Sequence, residues 1–106
     1  MIKPFAIAVG TSLVALAAWA SAAPAPRTLE IQHFKFSPPT VTVAPGTTVT
    51  WVNHDEETHT VTSATGSFTS EGLDHEQTFK HTFATPGTYT YFCALHPMMR
   101  ATVVVQ

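Results

Sequence analysis

From Thr28 to Gln106 the chain alternates apolar and polar residues at period two and interrupts the alternation with Pro-Gly turns. That pattern leaves room for little besides short β-strands. Thr28–Phe36 carries Leu29 and Ile31 and a looser apolar end at Phe34 and Phe36. Thr40–Val43 alternates Thr with Val, and Ala44-Pro45-Gly46 turns the chain. Thr47–Asn53 sets Val49 and Trp51 on one face, and Val61 follows in a Thr-rich stretch from His59 to Ser63. Gln77–Phe83 repeats the pattern with Phe79, His81 and Phe83. Thr85-Pro86-Gly87 turns again before Thr88–Cys93 and Arg100–Gln106. Ala64–Glu76 is less regular and reads as loops around a short strand near Phe68. No helical period, internal repeat or second domain is visible. β-branched and aromatic residues favour a pleated, half-buried surface. The expected fold is therefore all-β, a Greek-key β-sandwich of seven or eight antiparallel strands.

The first residues follow a different logic. Met1–Pro4 carries the single positive charge of Lys3, Phe5–Ala18 is an uncharged apolar run, and Ala20-Ser21-Ala22 supplies small residues. This is the layout of a secretory signal peptide over residues 1–22. The run is shorter than the roughly 20 apolar residues that span a bilayer, so no stable membrane insertion is expected. Residues 23–27, with Pro24 and Pro26, read as a flexible lead, and 28–106 as the folded domain. Beyond residue 22, Arg27, Lys35, Lys80 and Arg100 face seven carboxylates. With no basic stripe, nucleic-acid binding is not indicated.

Cys93 is the one cysteine. Oxidising compartments favour disulfides in small domains, yet Cys93 has no internal partner. An intermolecular bridge, an inert buried thiol and a metal ligand are the alternatives. Its neighbours decide among them. Cys93-Ala94-Leu95-His96-Pro97-Met98-Met99 places a thiol, an imidazole and two thioethers on a tight connection between strands. Thiolate and thioether select a soft metal, and two histidines with one thiolate and a weak axial methionine make a type 1 copper set. The second histidine must come from elsewhere. His59 fits best, at the end of an acidic loop on the same end of a sandwich. His33, His75 and His81 have no paired ligand and read as ordinary surface or satisfied residues. His54 lies nearer and reads at most as an accidental extra ligand. Asp55-Glu56-Glu57 reads as a solvated acidic loop able to steer a basic partner.

Val49-Thr50-Trp51-Val52-Asn53, His59-Thr60-Val61, Pro86-Gly87-Thr88-Tyr89-Thr90-Tyr91-Phe92-Cys93 and Cys93-x-x-His96-x-x-Met99 together resemble the cupredoxins, the small blue copper proteins. Within them the likeness is to the amicyanin and plastocyanin group. The resemblance implies one copper ion held by His59, Cys93, His96 and Met99, with Met98 exposed beside His96. Two positions depart from the family pattern. Thr60 stands where Asn is common, and Ala94 where Ser or Thr ties the ligand loops together. Ala94 has no side-chain donor, so that tie cannot form, although the Thr60 backbone N–H can still reach the Cys93 sulfur. The implied function is a monomeric, non-enzymatic one-electron carrier in the periplasm. It would dock transiently to periplasmic redox proteins near His96. Copper delivery, storage or resistance is the alternative reading.

Overall fold

Eight strands form along the alternating segments. They are β1 Arg27–Gln32, β2 Lys35–Ser37, β3 Thr40–Val43, β4 Thr47–Asn53, β5 Thr62–Ser63, β6 Thr78–Phe83, β7 Gly87–Cys93 and β8 His96–Val105. The computed structural model describes residues 23–106, with Pro4 and Gly10 as isolated positions before them. The segment read as a signal peptide otherwise lies outside the described residues. Among these residues no helix is long and apolar enough to cross a membrane.

The strands make two four-stranded sheets, ordered β2-β1-β4-β6 and β3-β8-β7-β5. Period-two alternation turns Leu29, Ile31, Val49, Trp51 and Phe83 of the first sheet inward, against Val41, Val43, Tyr91, Val103 and Val105 of the second. Trp51 sits in the middle of this core. Its ring centroid lies 5.4 to 6.3 Å from those of Phe68, Phe79, Phe83 and Tyr91. Truncating a buried aromatic of this kind costs about 3–5 kcal/mol, so the cluster anchors one sheet on the other.

The all-β sandwich expected from the pattern is the fold observed, but four details differ. β1 pairs with β4 and β3 with β8 in parallel, because each pair is joined by a crossover and alternation is blind to strand direction. The stretch Thr28–Phe36 is two strands, since His33 and Phe34 take left-handed φ of 56° and 57° and close a hairpin pairing Gln32 with Lys35. No strand forms around Phe68. The residue is buried, but the pairing there is one bridge between Thr62 and Thr69. Finally, β1 begins at Arg27 and β8 at His96, both earlier than the pattern suggests.

Candidate metal centre

The hairpin joining β7 to β8 brings the first donors together. Cys93 pairs with His96 across a two-residue turn, Ala94-Leu95, while Phe92 pairs with Arg100. Pro97, Met98 and Met99 therefore bulge from the ladder. The ligand segment is thus the start of β8, where the sequence suggested a tight connecting loop before a strand near Arg100. This geometry folds His96 back over the thiol, with its Nδ1 3.6 Å from Cys93 Sγ. Met99 is buried in the bulge, whereas Met98 is 89% exposed.

His59 arrives from the connection between β4 and β5. Its backbone is fixed against Leu73 by two hydrogen bonds, N–H to carbonyl at 3.0 Å and the reverse at 2.7 Å. Its Nδ1 lies 3.7 Å from Cys93 Sγ. The donor atoms of His59, Cys93 and His96 all lie within 4.8 Å of one another, the first two fully buried and the third half-buried. Metal–nitrogen and metal–sulfur bonds of about 2.1 and 2.3 Å, opened to roughly 110–120°, separate the donors by about 3.6–3.8 Å. The two observed spacings match one ion of soft or borderline character. These are the three strong donors that the sequence singled out, and the fold brings them together.

The sequence reading did not find the residue that orients His59. Asp55, read as part of a solvated acidic loop, turns inward and its side chain is 10% exposed. Only Glu56 and Glu57 face solvent. The His59 Nε2–H donates to Asp55 Oδ2 at 2.8 Å, which leaves the Nδ1 lone pair facing the sulfur. Ligating histidines need such an acceptor on their second nitrogen. A carboxylate four residues before His59 was the available signal. The same carboxylate accepts the backbone N–H of His33 at 2.8 Å and that of Phe34 at 2.9 Å. Burial alone would raise the Asp55 carboxyl, but the donors from Phe34, His33 and His59 outweigh it and hold the group below its ordinary value.

Through these bonds Asp55 also sets Phe34. The Phe34 ring stands edge-on to both histidine rings, 5.1 Å from His59 and 5.1 Å from His96. The acidic loop itself is built on Asn53, buried at the end of β4. Its side-chain amide donates to the carbonyls of Glu57 and Leu73, each at 2.8 Å, and its Oδ1 accepts the Asp55 N–H at 2.9 Å.

The two departures from the family pattern resolve in an unexpected way. The Thr60 N–H donates to Cys93 Sγ at 3.4 Å, as the sequence allowed. The ligand loops are nonetheless tied, because Thr60 Oγ1 accepts the Ala94 backbone N–H at 2.7 Å. A side chain on the first loop meets the backbone of the second, a pairing that needs no hydroxyl at position 94. Of the other histidines, His33 is exposed in its hairpin turn. His81 is half-buried between Phe68 and Phe83, with ring centroids at 4.9 and 4.7 Å.

Comparison with known proteins agrees with this geometry. The sequence model of the cupredoxin-like domain matches residues 5–105. Amicyanin of Paracoccus versutus is 37% identical over 81 residues, 72% of this chain, and the chain spans 61% of that protein's length. Amicyanin-alpha of Methylorubrum extorquens is 35% identical over 111 residues, with 95% of this chain and 93% of that protein covered. Among solved structures, the Cu(I) form of an amicyanin variant superposes with a TM-score of 0.74 at 34% identity. That match covers 82% of this chain and 88% of the other.

Proposed function

The chain belongs to the cupredoxin-like family, and from that premise we propose that it is an exported one-electron carrier with a single copper ion. His59 Nδ1, Cys93 Sγ and His96 Nδ1 are the strong donors, and the buried Met99 supplies a weak axial sulfur. The observation that carries the reading is the pair of nitrogen–sulfur spacings, 3.7 and 3.6 Å, around a fully buried thiol. Bound there, copper supplies a one-electron couple between Cu(II) and Cu(I).

The chain's own residues do the rest. Cys93 and His96 sit on paired strands, His59 is held by Leu73 and Asp55, and the two loops are tied by Thr60. Ligands restrained in this way keep one geometry in both oxidation states. Four protein donors leave no position for a substrate, which favours electron transfer over catalysis. The apolar run Phe5–Ala18 followed by Ala20-Ser21-Ala22 supports export, and the proposal is of a monomeric carrier in the periplasm.

Docking to a redox partner centres on His96. Phe34, Leu95 and Met98, respectively 43%, 56% and 89% exposed, are the large exposed hydrophobics among the described residues. Leu95 and Met98 flank His96 in sequence, and Phe34 touches its ring. A small apolar rim suits the weak, brief encounters of electron-transfer proteins.

Copper reconstitution tests the proposal. An intense blue thiolate-to-Cu(II) band and a reversible one-electron couple are expected, and Cys93→Ser should abolish both. A colourless protein that surrenders Cu(I) to an acceptor, with no reversible couple, points to copper delivery and overturns the carrier.

A further inference from the structure

A second group of donors lies beside the copper centre and takes no part in it. Glu76 adopts a left-handed φ of 62°, a conformation few non-glycine residues take. Its N–H donates to the Asn53 carbonyl at 2.6 Å, which fixes the turn. The Glu76 Oε1 so presented lies 3.1 Å from His54 Nδ1 and 3.6 Å from His75 Nε2. One carboxylate oxygen is therefore set between two imidazoles.

The orientation of His75 makes the arrangement informative. Its Nδ1 is 3.2 Å from the Asp55 backbone carbonyl, so Nδ1 carries the proton. Nε2 is then the ring nitrogen turned toward Glu76, 3.6 Å from its Oε1. A cation drawn between them would meet one nitrogen and one oxygen donor. An Nδ1–H anchored on a carbonyl is also how metal-binding histidines are oriented. Two further carboxylates stand close by. Glu30 Oε1 is 3.6 Å from His54 Nε2, and Glu56 Oε1 is 3.7 Å from His75 Nδ1. Every ion pair found among the described residues involves a histidine, so no lysine or arginine neutralises this cluster.

We propose that His54, His75 and Glu76 form a second metal site, open to solvent, for a borderline divalent cation such as Zn2+. Two imidazole nitrogens and a carboxylate oxygen suit that class, and water completes the coordination. All three side chains are at least partly exposed. Closing on an ion at bonding distances of about 2.0–2.2 Å requires these exposed side chains to move from where they now stand.

Calorimetric titration of the Cu(I)-loaded protein with Zn2+ tests the site. One saturable equivalent is expected, and His75→Gln or Glu76→Gln should weaken it by about tenfold or more. His33→Gln, which removes an exposed histidine outside the cluster, should leave it unchanged. The ring nitrogens of His54 and His75 should shift in NMR spectra on adding Zn2+, while those of His33 stay put. This second readout reports occupancy directly. Without copper, uptake at Cys93 adds a separate equivalent that His75→Gln leaves in place, so the two sites are told apart. No saturable uptake by the loaded protein, or the same isotherm in His75→Gln as in the parent chain, overturns the proposal.

Discussion

A carboxylate surrounded by three N–H donors and 10% exposed has no substitute of the same charge and reach. In Asp55→Asn the amide turns an N–H toward one of those donors, and the buried mismatch should cost about 1.5–3 kcal/mol. Urea unfolding of the metal-free protein measures it, and an unchanged midpoint would show that the three bonds contribute nothing. Cys93 and His96 were legible because a thiol, an imidazole and thioethers crowd seven residues, and His59 because one more imidazole was needed. Asp55 was not legible. Two of its partners lie 21 and 22 residues away in sequence, and beside Glu56 and Glu57 it looks like one more surface charge. Only the fold distinguishes a carboxylate that faces a ligand from one that faces water.

The hairpin between β1 and β2 and the inner face of β6 show how elements bend local preference. Two-residue hairpin turns of left-handed conformation prefer Asn-Gly or Asp-Gly, and His33-Phe34 offers neither. Asp55 supplies the missing preference by capping both N–H groups, which is why the sequence read through the turn as one strand. After Gly, Asn and Asp are the residues that visit left-handed φ routinely. His33→Asn should therefore raise stability by about 0.5–1 kcal/mol, visible as a higher thermal midpoint; a lower midpoint would mean the His33 side chain has a role of its own. On β6, burial against Phe68 and Phe83 lowers the His81 ring below the ordinary histidine value of 6.5. A depressed folded value contributes stability above the unfolded value, and that contribution is lost as pH falls below about 6.5. His81→Phe should therefore lose less stability than the parent chain between about pH 7.5 and 5. His54 acts in the opposite sense, since its bond to Glu76, opposed by partial burial, raises its ring above 6.5. Comparing variant and parent cancels that contribution. Equal pH slopes in urea melts of the two proteins would sink the His81 account.

Across the whole molecule, the sandwich was legible because period two and Pro-Gly turns allow few other folds. The pairing was not, because a strand's inward residues are the same whether its neighbour runs parallel or antiparallel. The parallel pairs β1/β4 and β3/β8 join segments far apart in sequence, as do most contacts that hold His59 near Cys93. The sheet borders have a consequence of their own. β2 and β6 border one sheet and β3 and β5 the other. β2 has three residues and β5 two, while β3 lies between Pro38-Pro39 and Pro45. β6 is longer but carries the exposed Lys80. Short, proline-flanked or lysine-bearing borders are poor templates for an added strand. Copies crowded together therefore meet only short or guarded ledges, which offer little on which to zip into aggregates.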